Sequence, residues 1–356
     1  MEIKDVLVIN PGSTSTKIAI FTEGGSKLLF ETNIVHDEGK VLSFPDVASQ
    51  KDYRKETVLE YLRKQDYDLS RLSAVVGRGG MIIGLKSGGY AINERLYEKM
   101  ASPELPQHAS SLGALVAYPI AQELGIPSFI YDSTMGCDLL DTVKITGIAE
   151  IEKYGATHLL NSRAQAMKYA ASVGRDYKEM QIIVCHMGGG ITANAWKGGK
   201  VVDVASYDDG PMGPERSGGV PLLLFNKLCF DGKHTQADME KLISGKGGIY
   251  SYLGTKDCRE VEKMIQDGDE RAKLVYEAMA LQVGKAIAGL SCTLEGKVDV
   301  IILTGGVAHS RMLTDMIKGF CGHIGKIEIM PGESEMEALA SGACRMLRGE
   351  EEAKEY

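Results

Sequence analysis

The stretch Val6–Phe21, VLVINPGSTSTKIAIF, decides the reading of the chain. Val6–Ile9 is a short apolar run suited to a buried strand, and Ile18–Phe21 is a second. Between them Asn10, Pro11 and Gly12 break the first run, and Ser13, Thr14, Ser15 and Thr16 lead to Lys17. Strand, polar turn, strand predicts a hairpin. The turn combines a glycine, a run of hydroxyls, an Asn and a Lys. Free backbone N–H groups in such a turn form a concave electropositive lining, and hydroxyls and a Lys suit phosphate oxygens. Two readings stand at this point, an ordinary Ser/Thr-rich turn and a phosphate cradle.

The pattern restarts about half-way along, where Gln181–Asp203 reads QIIVCHMGGGITANAWKGGKVVD. It is again an apolar strand, a polar glycine turn and an apolar strand. Leu72–Gly80, LSAVVGRGG, and Val298–Gly306, VDVIILTGG, are likewise a matched pair, each a buried strand closing on two glycines. The recurrence of hairpin, helices and double-glycine strand predicts two α/β domains of similar fold facing each other across a cleft. A phosphate-facing turn then points into the cleft from each half. The 356 residues exceed the ~250–300 at which one core usually divides, so two domains are also expected from length. We place them at 1–160 and 161–334, with the helix of 335–356 packing back on the first.

Between these landmarks, Lys27–Val35 reads as a third strand and Tyr53–Gln65 has helical spacing. Asn93 caps a short helix. Ser110–Leu124 is an apolar helix bent at Pro119. Ser128–Gly136 is a strand that delivers Asp132, and Asn161–Ser172 is a helix expected to link the halves. Asp269–Leu294 is the longest helix, with Val275, Met279, Val283, Ile287 and Leu290 on one core-facing stripe.

Composition is that of a globular protein, 44% hydrophobic and 25% charged, with a net charge of -8. That charge argues against nucleic acid or an anionic membrane as partner. An anionic substrate must be held by a few local cations. The seven cysteines are odd in number and show no CxxC pair, which reads as reduced, buried thiols in a cytoplasmic protein. The first residues read as a strand and not as a signal peptide, and no apolar run reaches membrane-spanning length.

Absences narrow the chemistry. The sequence lacks G-x-x-x-x-G-K-[ST], G-x-G-x-x-G, the protein-kinase signatures and any His/Cys spacing of a zinc site. What it has are glycine turns. His186-Met187-Gly188-Gly189-Gly190 lets a phosphate approach the backbone closely. Thr304-Gly305-Gly306-Val307-Ala308 ends a buried strand and opens a helix, a setting for adenosine or phosphate. Arg78 sits on VVGRGG. Arg216 sits in Asp208–Pro221, DDGPMGPERSGGVP, either a solvated residue on a surface loop or half of a carboxylate-plus-phosphoryl clamp with Arg78. His108, in LPQHASS, and His158, in YGATHLLNSRA, open helices and are either structural or functional.

At three of these turns the chain resembles the acetate and sugar kinase, actin and heat-shock chaperone superfamily. NPGSTSTK looks like its first phosphate loop, HMGGGIT its second and LTGGVA its adenosine-side loop. With VVGRGG, LPQHASSLG, YDSTMG, YGATHLLNSRA, DDGPMGPERSGG, LTGGVAHS and GESEMEALASGA, the set closely resembles the acetokinase family over about Val6 to Arg348, in wording its butyrate-kinase branch. The resemblance implies two duplicated actin-like, ribonuclease H-like ATPase domains around a central nucleotide cleft. It implies Mg²⁺ with ATP or ADP, a short-chain carboxylate or acyl phosphate as the second substrate, and a homo-oligomer.

Carried over by position, the resemblance assigns ATP or phosphate contacts to Asn10, Ser13, Thr14, Ser15, Lys17, His186, Gly188, Gly189, Gly190, Gly305 and Gly306. It assigns the acyl carboxylate to Arg78, the transferred phosphoryl to His158, and transition-state charge to Arg216. Asp132 orients the metal-bound phosphates, and Glu335, with Asn10 and Asp132, forms the metal set. Ser334-Glu335-Met336-Glu337 also fits a capping box, which would make Glu337 structural. His108 matches an acyl-pocket histidine in altered surroundings. The implied reaction is reversible phosphoryl transfer from ATP to a short-chain fatty acid, butyrate first. A branched, propionate or acetate preference is the alternative, and a sugar kinase or non-catalytic actin-like ATPase the more remote ones.

Overall fold

The computed structural model describes residues 3–356. Its contacts divide the chain into two compact units, one of residues Met1–Gly136 with Ser334–Tyr356 and one of Cys137–Glu333.

In the first unit the opening stretch folds as the apolar runs require. β1 (Asp5–Pro11) and β2 (Ser15–Thr22) pair antiparallel with Asn10 opposite Lys17. β3 (Lys27–Val35), alternately half-buried and exposed, pairs with β2 as the edge. β4 (Leu72–Arg78) runs parallel to β1, β5 (Gly89–Ala91) is a short strand, and β6 (Ser128–Tyr131) runs parallel to β4 and antiparallel to β5. The sheet order is β3-β2-β1-β4-β6-β5. β1 is central and nearly all buried, so it reads as a continuous apolar run and not as an alternation. Its core joins Leu7, Ile9, Ile18 and Ile20 to Val75 and to Leu112, Leu115 and Val116 of the Leu112–Leu124 helix. Gly77 lies so close to that helix that a Cβ there would sit 2.2 Å from the Gly113 carbonyl oxygen. A side chain would push strand and helix apart.

The second unit contains β7 (Ile182–Met187), β8 (Ile191–Lys197), β9 (Lys200–Ala205), β10 (Val300–Gly305) and β11 (Ile327–Pro331). Their order is β11-β10-β7-β8-β9, with β7, β8 and β9 antiparallel and β10 and β11 parallel to β7 and to each other. Read from its other edge, the sheet repeats β3-β2-β1-β4-β6 strand for strand and sense for sense. The expected duplication of an α/β, actin-like ATPase fold is what forms. The Glu270–Thr293 helix buries Val275, Met279, Val283, Ile287 and Leu290 against this sheet, as their spacing predicts.

Several expectations need correction. Gln181–Asp203 holds three strands, because Gly198 and Gly199, both at positive φ, turn β8 into β9. The expected boundary near 160 falls at Gly136/Cys137, because Asp138 and Leu140 donate backbone N–H groups to Val201 and Val202 at the β9 edge. The Leu159–Ser172 helix therefore lies wholly within the second unit and does not link the halves. The Glu335–Leu347 helix, expected to pack back on the first domain, is grouped with the first unit and needs no such correction. Its N-cap Ser334 makes no side-chain capping bond, so the capping box does not form. All seven cysteines are free, but Cys292 is exposed, and only Cys185, Cys258, Cys321 and Cys344 are buried. Among the described residues no helix is long and apolar enough to cross a membrane.

Candidate functional site

In the first unit the sites converge at the C-terminal ends of β1, β4 and β6, with Arg78 the last residue of β4. The Arg78 Nη1 donates to Glu335 Oε2 at 3.0 Å and to Asn10 Oδ1 at 3.4 Å, and Asn10 Nδ2 donates to the same Glu335 oxygen at 2.8 Å. Glu335 is thus the helix residue that joins the cluster, and Glu337 is exposed. His108 is close enough to Arg78 that the guanidinium, together with burial as the larger cause, lowers its pKa from the ordinary imidazole value. Its Nδ1 lies 2.7 Å from the Ser110 hydroxyl and accepts the Ser110 N–H, so the ring also caps the turn before Leu112.

Asp132 follows Tyr131, the residue paired with Arg78 across β4 and β6. It is 3% exposed, adopts φ 44°, and its Oδ1 accepts the Gly88 N–H at 2.8 Å. Lys17 pairs with Glu31 of β3 at 2.8 Å. Ser13 and Thr14 are exposed at the tip of the turn, with Ser15 beginning β2.

In the second unit the same sheet positions carry the other set. His186, on β7, is 1% exposed and stacks on His158 with centroids 3.9 Å apart and planes 8° from parallel. His158 is the N-cap of the Leu159–Ser172 helix, and its Nδ1 lies 3.0 Å from the Thr192 hydroxyl. Asn161 Nδ2 donates to His186 Nδ1 at 3.0 Å and to Thr304 Oγ1 at 3.3 Å. This network assigns the His186 proton to Nε2, which faces Glu333 Oε1 at 3.4 Å.

The turn Gly188–Gly190 follows, closed by a Gly188 N–H to Gly190 carbonyl bond of 3.0 Å. Arg216 packs over it, its Cγ 3.2 Å from where a Gly190 Cβ would stand. Gly305 adopts φ 88° with a would-be Cβ 2.4 Å from the Met187 carbonyl oxygen, so only glycine fits between β10 and β7 here. A cavity of about 740 Å³ opens beside these turns, lined by Gly188, Gly189, Gly306, Val307, His309 and Lys256 among others. Arg216 Nη1 donates to Glu215 Oε1 at 3.0 Å, and Lys256 holds the other Glu215 oxygen at 2.7 Å. Burial alone would raise Glu215, but Lys256 and Arg216 outweigh it and hold the carboxyl below the usual range.

The structure thus gathers Asn10, Arg78, His108 and Glu335 in one unit, and His158, His186, Gly188, Gly189, Gly190, Gly305, Gly306 and Arg216 in the other. Four further residues enter that the sequence reading missed. Asn161 and Thr192 orient the two imidazoles, Glu215 orients Arg216, and Glu333 faces His186. Asn161 carried no clear signal, being the third residue of a helix that opens Leu159-Leu160-Asn161-Ser162-Arg163. Glu333 carried none, since only the chain's return after β11 places it there.

The sequence model of the acetokinase family matches residues 143–328, just over half of the 356 residues. Among solved structures, the chain is similar to an acetate kinase of Porphyromonas gingivalis at TM-score 0.81 and 20% identity, covering 97% of this chain and 100% of that one. It is similar to a propionate kinase of Francisella tularensis subsp. tularensis SCHU S4 at TM-score 0.76 and 19% identity, covering 96% and 99%. An acetate kinase of Entamoeba histolytica matches at TM-score 0.77 and 15% identity, over 95% and 98%.

Proposed function

From its membership of the acetokinase family, to which this chain belongs, we propose that it transfers the terminal phosphoryl group of ATP to a short-chain fatty acid, butyrate before its neighbours, giving an acyl phosphate and ADP. The family is one of ATP-dependent carboxylate kinases. The finer choice of acid rests on the wording GPMGPERSGGVP and GESEMEALASGA. One observation supports a carboxylate acceptor most directly. Arg78 ends a rigid central strand and already holds a carboxylate oxygen, that of Glu335, at 3.0 Å. A carboxylate is a competent nucleophile at neutral pH and requires no base. A sugar hydroxyl would require a base to remove its proton, a demand the carboxylate acceptor does not make.

The roles proposed are those that the family resemblance assigns by position. Arg78, with His108 beside it, fixes the acid. The glycine turns and the cavity of about 740 Å³ take the nucleotide. His158, the Nε2 proton of His186 and Arg216 offset charge on the phosphoryl group in transit. Among the described residues no three His, Cys, Asp or Glu side chains converge to hold a metal alone. That suits Mg²⁺ borne on nucleotide phosphates, which takes one or two carboxylates and keeps its waters. Glu335, Asn10 and Asp132 would hold it, and when bound it neutralises charge on the β- and γ-phosphates.

A homo-oligomer, which the family resemblance implies, would have an apolar surface to use in the Leu222–Cys229 helix, which buries none of its residues and leaves Leu223 81% and the following Phe230 82% exposed. The reaction is tested by incubating the protein with ATP, Mg²⁺ and acids of rising length and trapping acyl phosphate with hydroxylamine. Hydroxamate greatest with butyrate supports the reading. A maximum at acetate moves the substrate, and no hydroxamate with any acid overturns it.

A further inference from the structure

Arg54 lies outside every motif of the site, yet it is 0% exposed and directed at the turn between β1 and β2. Its Nη1 donates to the Gly12 and Ser15 carbonyls at 2.8 Å each and to Thr16 Oγ1 at 3.1 Å. Its Nη2 donates to the Ser13 carbonyl at 2.8 Å, and Nε and Nη2 both reach Gln50 Oε1. The remaining carbonyl of the turn, on Thr14, accepts the His36 N–H at 2.9 Å. Among the described residues Arg54 has no carboxylate partner, so this buried guanidinium is spent on neutral oxygens, three of them carbonyls of the turn. Burial lowers its pKa to about 10, which leaves it charged at neutral pH.

The consequence is directional. All four carbonyls from Gly12 to Ser15 are drawn to protein donors, three of them to the one guanidinium. The Ser13 and Thr14 N–H groups donate to nothing among the described residues. A turn whose acceptors are all turned inward offers only donors outward, and a fixed cation sits behind it. That is an anion receptor formed in advance of its ligand.

We propose that Arg54 is the positioning residue of the first phosphate loop: it organises the turn's N–H groups for the terminal phosphates of the nucleotide without touching them. The proposal rests on the nucleotide reading above. Lysine cannot replace it, because an ammonium at the end of a flexible stem cannot bridge carbonyls spread over four residues as a planar five-donor fork does.

The test compares full-length wild type with Arg54→Met and Arg54→Lys. Hydrogen exchange of residues 10–17 is measured without ligand, and affinities for ADP and for adenosine are measured by calorimetry. We expect exchange at the loop to rise at least tenfold in both variants, with the rest of the first unit unchanged. ADP affinity falls at least tenfold and adenosine affinity stays within twofold. Should Arg54→Met not fold, Arg54→Lys decides by the same readings. Loop exchange and ADP affinity both within twofold of wild type overturn the proposal. So does an equal rise in exchange throughout the first unit, which marks a merely structural arginine. Wild-type protein that binds no ADP overturns the nucleotide reading instead, and loop exchange still decides for Arg54.

Discussion

Replacing Asn161 by Asp changes one atom type and reverses the hydrogen bonding of His186. The Asn161 amide is fully buried, and its two N–H groups are spent on His186 Nδ1 at 3.0 Å and Thr304 Oγ1 at 3.3 Å. An aspartate presents an acceptor to both. The Thr304 hydroxyl can rotate to donate, but it then releases the Gly332 carbonyl it now holds at 3.2 Å. His186 can meet the new oxygen only by carrying its proton on Nδ1. Neutral in that form, it turns a bare Nε2 toward Glu333, 3.4 Å away, and loses the donor assigned to the phosphoryl group. Each buried group left unpaired costs about 1–3 kcal/mol; the Gly332 carbonyl keeps the Gly305 N–H at 3.2 Å, so the one bare group, His186 Nε2, should lower stability by about 1–3 kcal/mol. Losing one preorganised donor to transition-state charge costs about 10²–10³ in kcat.

We expect Asn161→Asp to reduce kcat by at least ~100-fold with KM for ATP little changed. Because the loss passes through His186, adding His186→Ala should cost almost nothing more, a coupling readable in a double-mutant cycle. Steady-state kinetics of the four proteins and their urea midpoints measure both quantities. A kcat within about threefold of wild type, or losses that simply multiply, would refute the assignment of the His186 proton to Nε2.

Arg216→Ala should lower kcat by about 10²–10³ while nucleotide binding survives, since the guanidinium is assigned to transition-state charge; near-normal turnover would sink that role. Stability should also depend on pH through His36, which is 5% exposed. Burial, followed by the charge of Arg54, lowers its pKa from 6.5 to about 4. The unfolded chain therefore binds a proton between these values that the folded chain does not, so stability is complete above pH 6.5 and is lost as pH falls toward 4. At ~1.4 kcal/mol per pH unit the window is worth about 3 kcal/mol. Urea midpoints from pH 7 to pH 4 should decline in wild type and flatten in His36→Gln, and parallel slopes would contradict the assignment.

Much of the fold was legible because its signals are local. Val6–Ile9 and Ile18–Phe21 had to bury, the polar residues between them had to turn, and the same grammar recurred at Gln181. The double-glycine strands were legible for a related reason. Gly77 and Gly305 each stand where a Cβ would strike backbone, and that need is written as a glycine in sequence. What could not be read depended on partners distant in the chain. Arg54 shares the apolar face of its helix with Val58 and Leu62, which marks it as buried. Three of its acceptors, however, are backbone oxygens 39 to 42 residues away, which no side-chain pattern encodes. The boundary was placed late because the Asp138–Leu140 segment pairs through its backbone with β9. Ser334 carried every mark of a capping box, yet Glu335 beside it is drawn to Asn10 and Arg78. A site can thus override the local signal of a helix start.

The central claim is that this chain makes acyl phosphate from ATP and a short-chain acid. The most direct measurement is hydroxamate formation with purified protein, ATP and Mg²⁺ across formate to hexanoate, with ADP release followed in parallel. The account predicts hydroxamate equal in amount to ADP, with kcat/KM greatest at butyrate. ADP release that no acid accelerates, with no hydroxamate from any of them, would contradict it.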